Sequence, residues 1–154
     1  MRFELIFPGK TREGYLREGI EDYANRLRRY VKVDFKVIRE YKGKGSEKSV
    51  RDNQTGELLK NLPGSALILG LDSRGYQHSS EELADLITGW ENQGRDRVAV
   101  VIGGHLGFSR EFLDRADHLL SLSKMTFTHE MVRLVFLEQL YRAYSIKAGS
   151  SYHK

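Results

Sequence analysis

Apolar residues along this chain recur with two different periods, and each change of period marks an element. Arg2 to Phe7 is a β-rich apolar segment that stops at the turn pair Pro8-Gly9. From Thr11 the spacing becomes helical: Leu16, Ile20, Tyr23 and Leu27 step by four, three and four, so one stripe faces inward. Thr11 is the expected N-cap. Val31, Val33, Phe35 and Val37 then alternate, which predicts a second strand with one face turned to the core. Tyr41 to Gln54 breaks both periods; it is polar and mostly basic, and it runs into a weak helix near Ser46 to Asn61. After Pro63-Gly64, the run Ala66 to Leu71 is apolar without interruption, as in strands covered on both faces.

Asp72 to Gly75 reads as a turn, and Ser79 with Glu82 makes a capping box ahead of Leu83, Leu86, Ile87 and Trp90. Arg97 to Ile102 is the next buried strand. Ser109 opens another helix, Leu119 to Leu122 is a short strand, and Thr128 to about Lys147 is a long helix. Strands alternating with helices predict an α/β layer fold with a largely parallel sheet, in a single domain over residues 1–154. The last helix is apolar nearly all round, at Met131, Leu134, Val135 and Leu137. It needs cover on more than one side, either as a core helix of a monomer or, as expected here, in a homodimer interface.

Composition narrows the function classes. Hydrophobic residues at 40% and charged residues at 30% exclude the signature of disorder. The absence of cysteine removes disulfides, thiolate metal sites and thiol nucleophiles. Apolar runs fall far short of a membrane span and no leader pattern follows Met1, so the expected location is the cytoplasm, without a membrane partner. Lys and Arg number 25 against 21 acidic residues, a net charge of +4 that suits a polyanion partner. Lys42, Lys44, Lys48 and Arg51 are either an RNA-facing edge or a merely solvated loop.

Gly103 and Gly104 follow a buried strand, with Gly107 beyond them and a helix start after that. Glycines at such a place bring backbone N–H and C=O groups against a ligand, or simply make a tight turn. The pattern is GGxxG, neither the GxGxxG dinucleotide fingerprint nor a P-loop. Three strand ends, Leu71, Gly103-Gly104 and Leu122 to Phe127, would form one apolar slot if they lie together, since ligands collect at the carboxyl ends of adjacent strands. Adenine suits such a slot, and the lack of a triphosphate cradle favours S-adenosylmethionine over ATP. The five histidines show no metal-ligand spacing, so no metal is expected. His129 and Arg133, four apart, share a helix face and would meet a phosphate or the reacting base, or else form a surface pair. Arg142 and Glu138 have the spacing of a helical ion pair. The terminal Tyr152-His153-Lys154 gathers an aromatic platform, an imidazole and an ammonium, the parts that hold an RNA base and its phosphate.

The strand ending in GG, then LSLSKMTF, the helix HEMVRLVFLEQLYRAY and the final YHK closely resemble the pseudouridine N3-methyltransferases of 23S ribosomal RNA, in the SPOUT superfamily. The resemblance spans essentially the whole chain. It is strong from Ile102 onward and weak between Glu40 and Asn61. Thr128 stands where that family usually has proline, and threonine caps a helix comparably. The resemblance implies a C-terminal trefoil knot, an exception to the near-absence of knots. It implies S-adenosylmethionine held by Leu71, Gly103, Gly104 and the loop Leu122, Ser123, Lys124, Met125, Thr126 and Phe127. It also implies a homodimer in which one subunit's tail finishes the other's site, acting on a pseudouridine of the assembled ribosome. On that basis His153 or His129 would take the N3 proton and Tyr152 would orient the base. Arg133, Arg142 and Lys154 would grip phosphate. The rival reading is a non-catalytic RNA-binding protein of the ribosome. A Rossmann-like nucleotide binder is a third reading, disfavoured by the missing fingerprint.

Overall fold

The computed structural model describes residues 1–153. Five strands, β1 (Arg2–Pro8), β2 (Lys32–Ile38), β3 (Leu67–Gln77), β4 (Arg97–Ile102) and β5 (His118–Ser121), form one sheet in the order β2-β1-β4-β3-β5. Every neighbouring pair is parallel. The helices are α1 (Gly14–Leu27), α2 (Glu47–Lys60), α3 (Ser80–Asn92), α4 (Arg110–Arg115) and α5 (His129–Lys147), followed by a 3₁₀ turn at Ser151–His153. None of the helices is long and apolar enough to cross a membrane.

The continuous apolar runs have the cause inferred for them, because both faces of the sheet are covered. Phe3, Leu5, Leu69, Val98, Val100 and Ile102 pack beneath α1, α3 and α5. Ile6, Ile68, Ala99 and Val101 pack beneath α2 and α4, against Leu58, Phe108 and Phe112. Helix starts follow local chemistry: Ser79 and Glu82 form the reciprocal capping box, and the Ser46, Ser109 and Thr128 hydroxyls each cap a helix.

Three expectations are corrected. Thr11 does not cap α1, whose N-cap is Glu13 without a side-chain bond; the Thr11 hydroxyl instead accepts from Arg133 Nη1 at 2.9 Å. Asp72 to Gly75 is not a free turn, because β3 runs through it with a register shift, and Leu71 and Tyr76 both face Leu120 of β5. Phe35 and Val37 lie in register with Leu5 and Phe7 yet are 41% and 47% exposed. β2 is the sheet edge, and no described element covers the outer end of that face.

Candidate active site

Because β3 lies between β4 and β5, the carboxyl ends of these three strands are forced together. A cavity of about 180 Å³ opens there. Its floor is Leu71, Ile102 and Leu120, and the loop after β5 supplies Leu122, Ser123, Met125, Thr126 and Phe127. The glycine turn closes it: Gly107 N donates to Gly104 O at 3.0 Å, and Gly107 has φ +75°, which glycine adopts without strain. A Cβ on Gly103 would come within 3.2 Å of the Phe108 ring and 3.4 Å of the Gly107 backbone, so a side chain there would fill the cradle.

The chemistry of this wall fits an adenosine sulfonium. The lining is mainly aliphatic and aromatic, and Gly103, Gly104 and Gly107 have no side chain to cover their backbone, which suits an adenine. Among the described residues no lysine or arginine lines it, whereas Asp72 does. Burial raises the Asp72 carboxyl, but hydrogen bonds from Arg74 outweigh that and hold it below its usual range, so it is ionised. Asp72 is paired with Arg74, so among the described residues this wall offers no free cation to hold a triphosphate.

Of the residues singled out in the sequence, Leu71, Gly103, Gly104, Leu122, Ser123, Met125, Thr126 and Phe127 line the cavity, whereas Lys124, in the same loop, does not. His129, the first residue of α5, lines it too. Burial, then the neighbouring Arg133, lowers the His129 pKa, so the imidazole is neutral near pH 7 and able to accept a proton. Arg133 is placed differently from the expectation of a phosphate clamp. It is 1% exposed, its guanidinium lies 3.9 Å over the Phe7 ring, and Nη2 donates to Pro8 O at 3.0 Å. With Nη1 on Thr11, it holds the β1–α1 connection, and burial pulls its pKa down to about 10. Arg142 forms the helical pair with Glu138 at 2.6 Å and also lies over the Tyr152 ring.

The tail is docked. Tyr152 OH meets Tyr23 OH at 3.0 Å and donates to Glu138 at 3.2 Å, and its ring stands edge-on to Tyr141. Burial, with the Tyr23 hydrogen bond, pushes the phenol above its ordinary range, so it stays protonated. His153 Nε2 lies 2.7 Å from Glu81. Glu138 is nine residues beyond His129, about 13 Å along the helix axis, so the tail does not reach its own protomer's cavity. Lys154 lies outside the described residues. Sequence spacing did not point to Asp72, His105, Leu120 or Val132 as wall residues. Their position next to a strand end or glycine turn is the signal that would have found Asp72 and His105.

Residues 1–153 match the family described as "Predicted SPOUT methyltransferase". The ribosomal RNA large subunit methyltransferase H of Desulfotalea psychrophila is 49% identical over 156 aligned residues, with all of both chains covered. The protein of the same description from Clostridium novyi is 41% identical, again over the full length of both. A solved probable methylase family protein from Haemophilus influenzae shares the fold, with TM-score 0.51 and 11% identity over 96% of this chain and 66% of that one.

Proposed function

The chain belongs to the SPOUT methyltransferase family, and from that premise we propose that it methylates large-subunit ribosomal RNA with S-adenosylmethionine. The target is N3 of a pseudouridine in 23S RNA, presented by the assembled ribosome in the cytoplasm. The single observation that carries the reading is the cavity at the ends of β3, β4 and β5, walled by a glycine turn and, among the described residues, lacking any lysine or arginine. The relatives' description supplies the RNA.

Leu71, Leu120 and Phe127 would sandwich the adenine while the Gly103–Gly104 backbone pairs with its edge. When bound, the donor supplies an electrophilic methyl carbon: the N3–C bond forms as the C–S bond breaks, and that electron pair goes to sulfur. His129 or His153 takes the N3 proton, and positioning provides most of the acceleration. The trefoil path of the chain and the homodimer belong to the same proposal. Met125 is 76% exposed and Phe127 38%, and Met131 and Val135 of α5 are half-buried; a second copy would cover such apolar side chains and bring its own tail to the site. Arg142 and Lys154 of that tail region would grip phosphate, and Tyr152 would orient the base.

The test is transfer of labelled methyl to ribosomes, subunits and free RNA that lack the modification, followed by identification of the labelled nucleoside. Label on N3 of a large-subunit pseudouridine is expected. Donor binding without label on any RNA would sink the substrate assignment.

A further inference from the structure

A second cavity lies on the other side of the glycine turn. α2 supplies Val50, Arg51 and Gln54, and the strand end of β2 leads into Glu40 and Tyr41. It shares Gly104, His105, Gly107 and His129 with the donor cavity, so the two spaces meet at one backbone turn and one imidazole. Two sites that meet at shared residues are what a two-substrate transfer needs, because the reacting atoms must come into direct contact.

Its dimensions and charges select the ligand. The enclosed space is about 30 Å³, room for roughly two waters, enough for one edge of a pyrimidine ring but not for a nucleotide. Sugar and phosphate would stay outside, beside the exposed Lys42, Lys44 and Lys48. Arg51 Nε is buried and has no hydrogen-bond partner among the described residues; the nearest acid, Asp52, stands 4.0 Å away. A buried donor without a partner is costly, and a ligand carbonyl would satisfy it. Gln54 is committed to the backbone instead: its Oε1 accepts from Tyr41 N at 2.5 Å and its Nε2 donates to Arg39 O at 3.4 Å, fixing the loop that walls the space. Glu40 adds a carboxylate, which disfavours a bare phosphate. The Arg51 cation can donate to a ring carbonyl while the neutral imidazole or the Glu40 carboxylate accepts from the adjoining N–H, so a base edge with acceptor and donor side by side is selected. The imide edge of a uracil-type base has that pattern.

We infer that this second cavity is the acceptor subsite, in which Arg51 donates to a carbonyl oxygen of the target base and His129 faces N3 from the shared wall. The inference rests on the methyl-transfer reading above. As N3 attacks, its proton passes to His129, and the negative charge shared by the flanking carbonyl falls on Arg51, while Glu40 favours the new imidazolium. Arg51 is therefore a residue for kcat rather than for general RNA affinity.

The test uses the full chain with S-adenosylmethionine and unmodified ribosomes, comparing Arg51→Met with Lys48→Met. Arg51→Met should lower the single-turnover rate roughly ten- to hundredfold, leaving donor affinity and melting temperature unchanged. Lys48→Met, at an exposed side chain, should weaken RNA binding with the rate at saturation intact. Wild-type turnover in Arg51→Met, or loss of donor binding together with turnover, overturns the inference. A second arm does not depend on turnover: RNA carrying 4-thiouridine at the target position is irradiated with the protein. Crosslinks are expected in residues 40–54. Crosslinks confined to α5 or the tail overturn the subsite, and a wild-type protein that transfers nothing overturns the methyl-transfer reading while the crosslinks still decide the subsite.

Discussion

Gly75 is where the sheet and the cavity depend on one missing methyl group. A Cβ built there would stand 2.6 Å from both the carbonyl carbon and the oxygen of Leu119 and 2.8 Å from the carbonyl carbon of Leu120. These are backbone atoms of β5, so no rotamer change relieves the contact. β5 cannot retreat cheaply either, since Asp117 fastens its start to β3 through Ile68 N at 2.7 Å and Ile68 O at 2.9 Å. The φ of Gly75 is not positive, so the whole effect of Gly75→Ala is steric. Overpacking costs about 1–3 kcal/mol where side chains can adjust, and this site belongs at the upper end or beyond. About 3 kcal/mol corresponds to a melting temperature lowered by about 6–12 °C in a chain of this size. Leu120 and Ser121 wall the donor cavity, so donor affinity should fall with it. The control is Gly56→Ala inside α2, where a Cβ meets nothing within 4 Å. It should raise stability by about 1 kcal/mol through helix propensity alone. Thermal melts by circular dichroism and calorimetric titration of donor read both variants. If Gly75→Ala melts within about 2 °C of wild type and binds donor normally, the strand contact does not have the rigidity argued for it.

Four further outcomes are expected. Gly103→Val should abolish donor binding with the fold intact, since even the first added carbon crowds Phe108 at 3.2 Å; near-wild-type titration would clear the cavity of its role. His153→Ala should reduce turnover more than donor affinity, and unaltered turnover would remove the tail from the reaction. Finally, His129 and His118 both have pKa values lowered by burial, the first also by Arg133 and the second by His78. The folded protein therefore binds fewer protons than the unfolded chain, and stability should fall as pH drops below about 6.5, visible as a lower denaturant midpoint at pH 5.5 than at pH 7.5. For the same reason turnover that uses His129 as base should rise with pH through an inflection below about 6.5; an inflection above it would point elsewhere.

What was legible in the sequence was whatever local chemistry decides. Ser79 with Glu82, the hydroxyls of Ser46, Ser109 and Thr128, and the unbroken apolar runs of β3 and β4 fix elements without reference to the rest of the chain. The misses arise where a distant partner overrides local preference. Asp72-Ser73-Arg74-Gly75 has turn composition, and Asp72 does accept from Arg74 N, but pairing with Leu120 keeps the segment in the sheet. Thr11 looks like a cap and is taken by Arg133, 122 residues away. Helical spacing placed Arg133 beside His129 but carried no information about depth; its burial comes from the β1–α1 connection folding over it. The glycine turn announced the first cavity, whereas the second depends on α2 lying against that turn, which no spacing encodes.

The docked tail bears on how a complete site is assembled. For a protomer to use Tyr152 and His153 at its own cavity, it would have to give up the Tyr23 and Glu138 hydrogen bonds, the Arg142 stack, the edge contact with Tyr141 and the His153–Glu81 pair. Each partner lies on α1, α3 or α5, so the interactions are lost together. The segment beyond α5 would then have to recross about 13 Å of helix to reach His129. A tail supplied by a second copy pays none of this, because its docked form is already ordered and needs only to be presented across an interface. The exposed Met125 and Phe127 sit at the cavity mouth, where such an interface would bury apolar surface and exclude water from the methyl-transfer path in one step. On this reasoning, mixing a Gly103→Val protomer with a His153→Ala protomer should restore transfer that neither variant supports alone. Failure to complement in a confirmed mixed dimer would place the tail's function within its own chain.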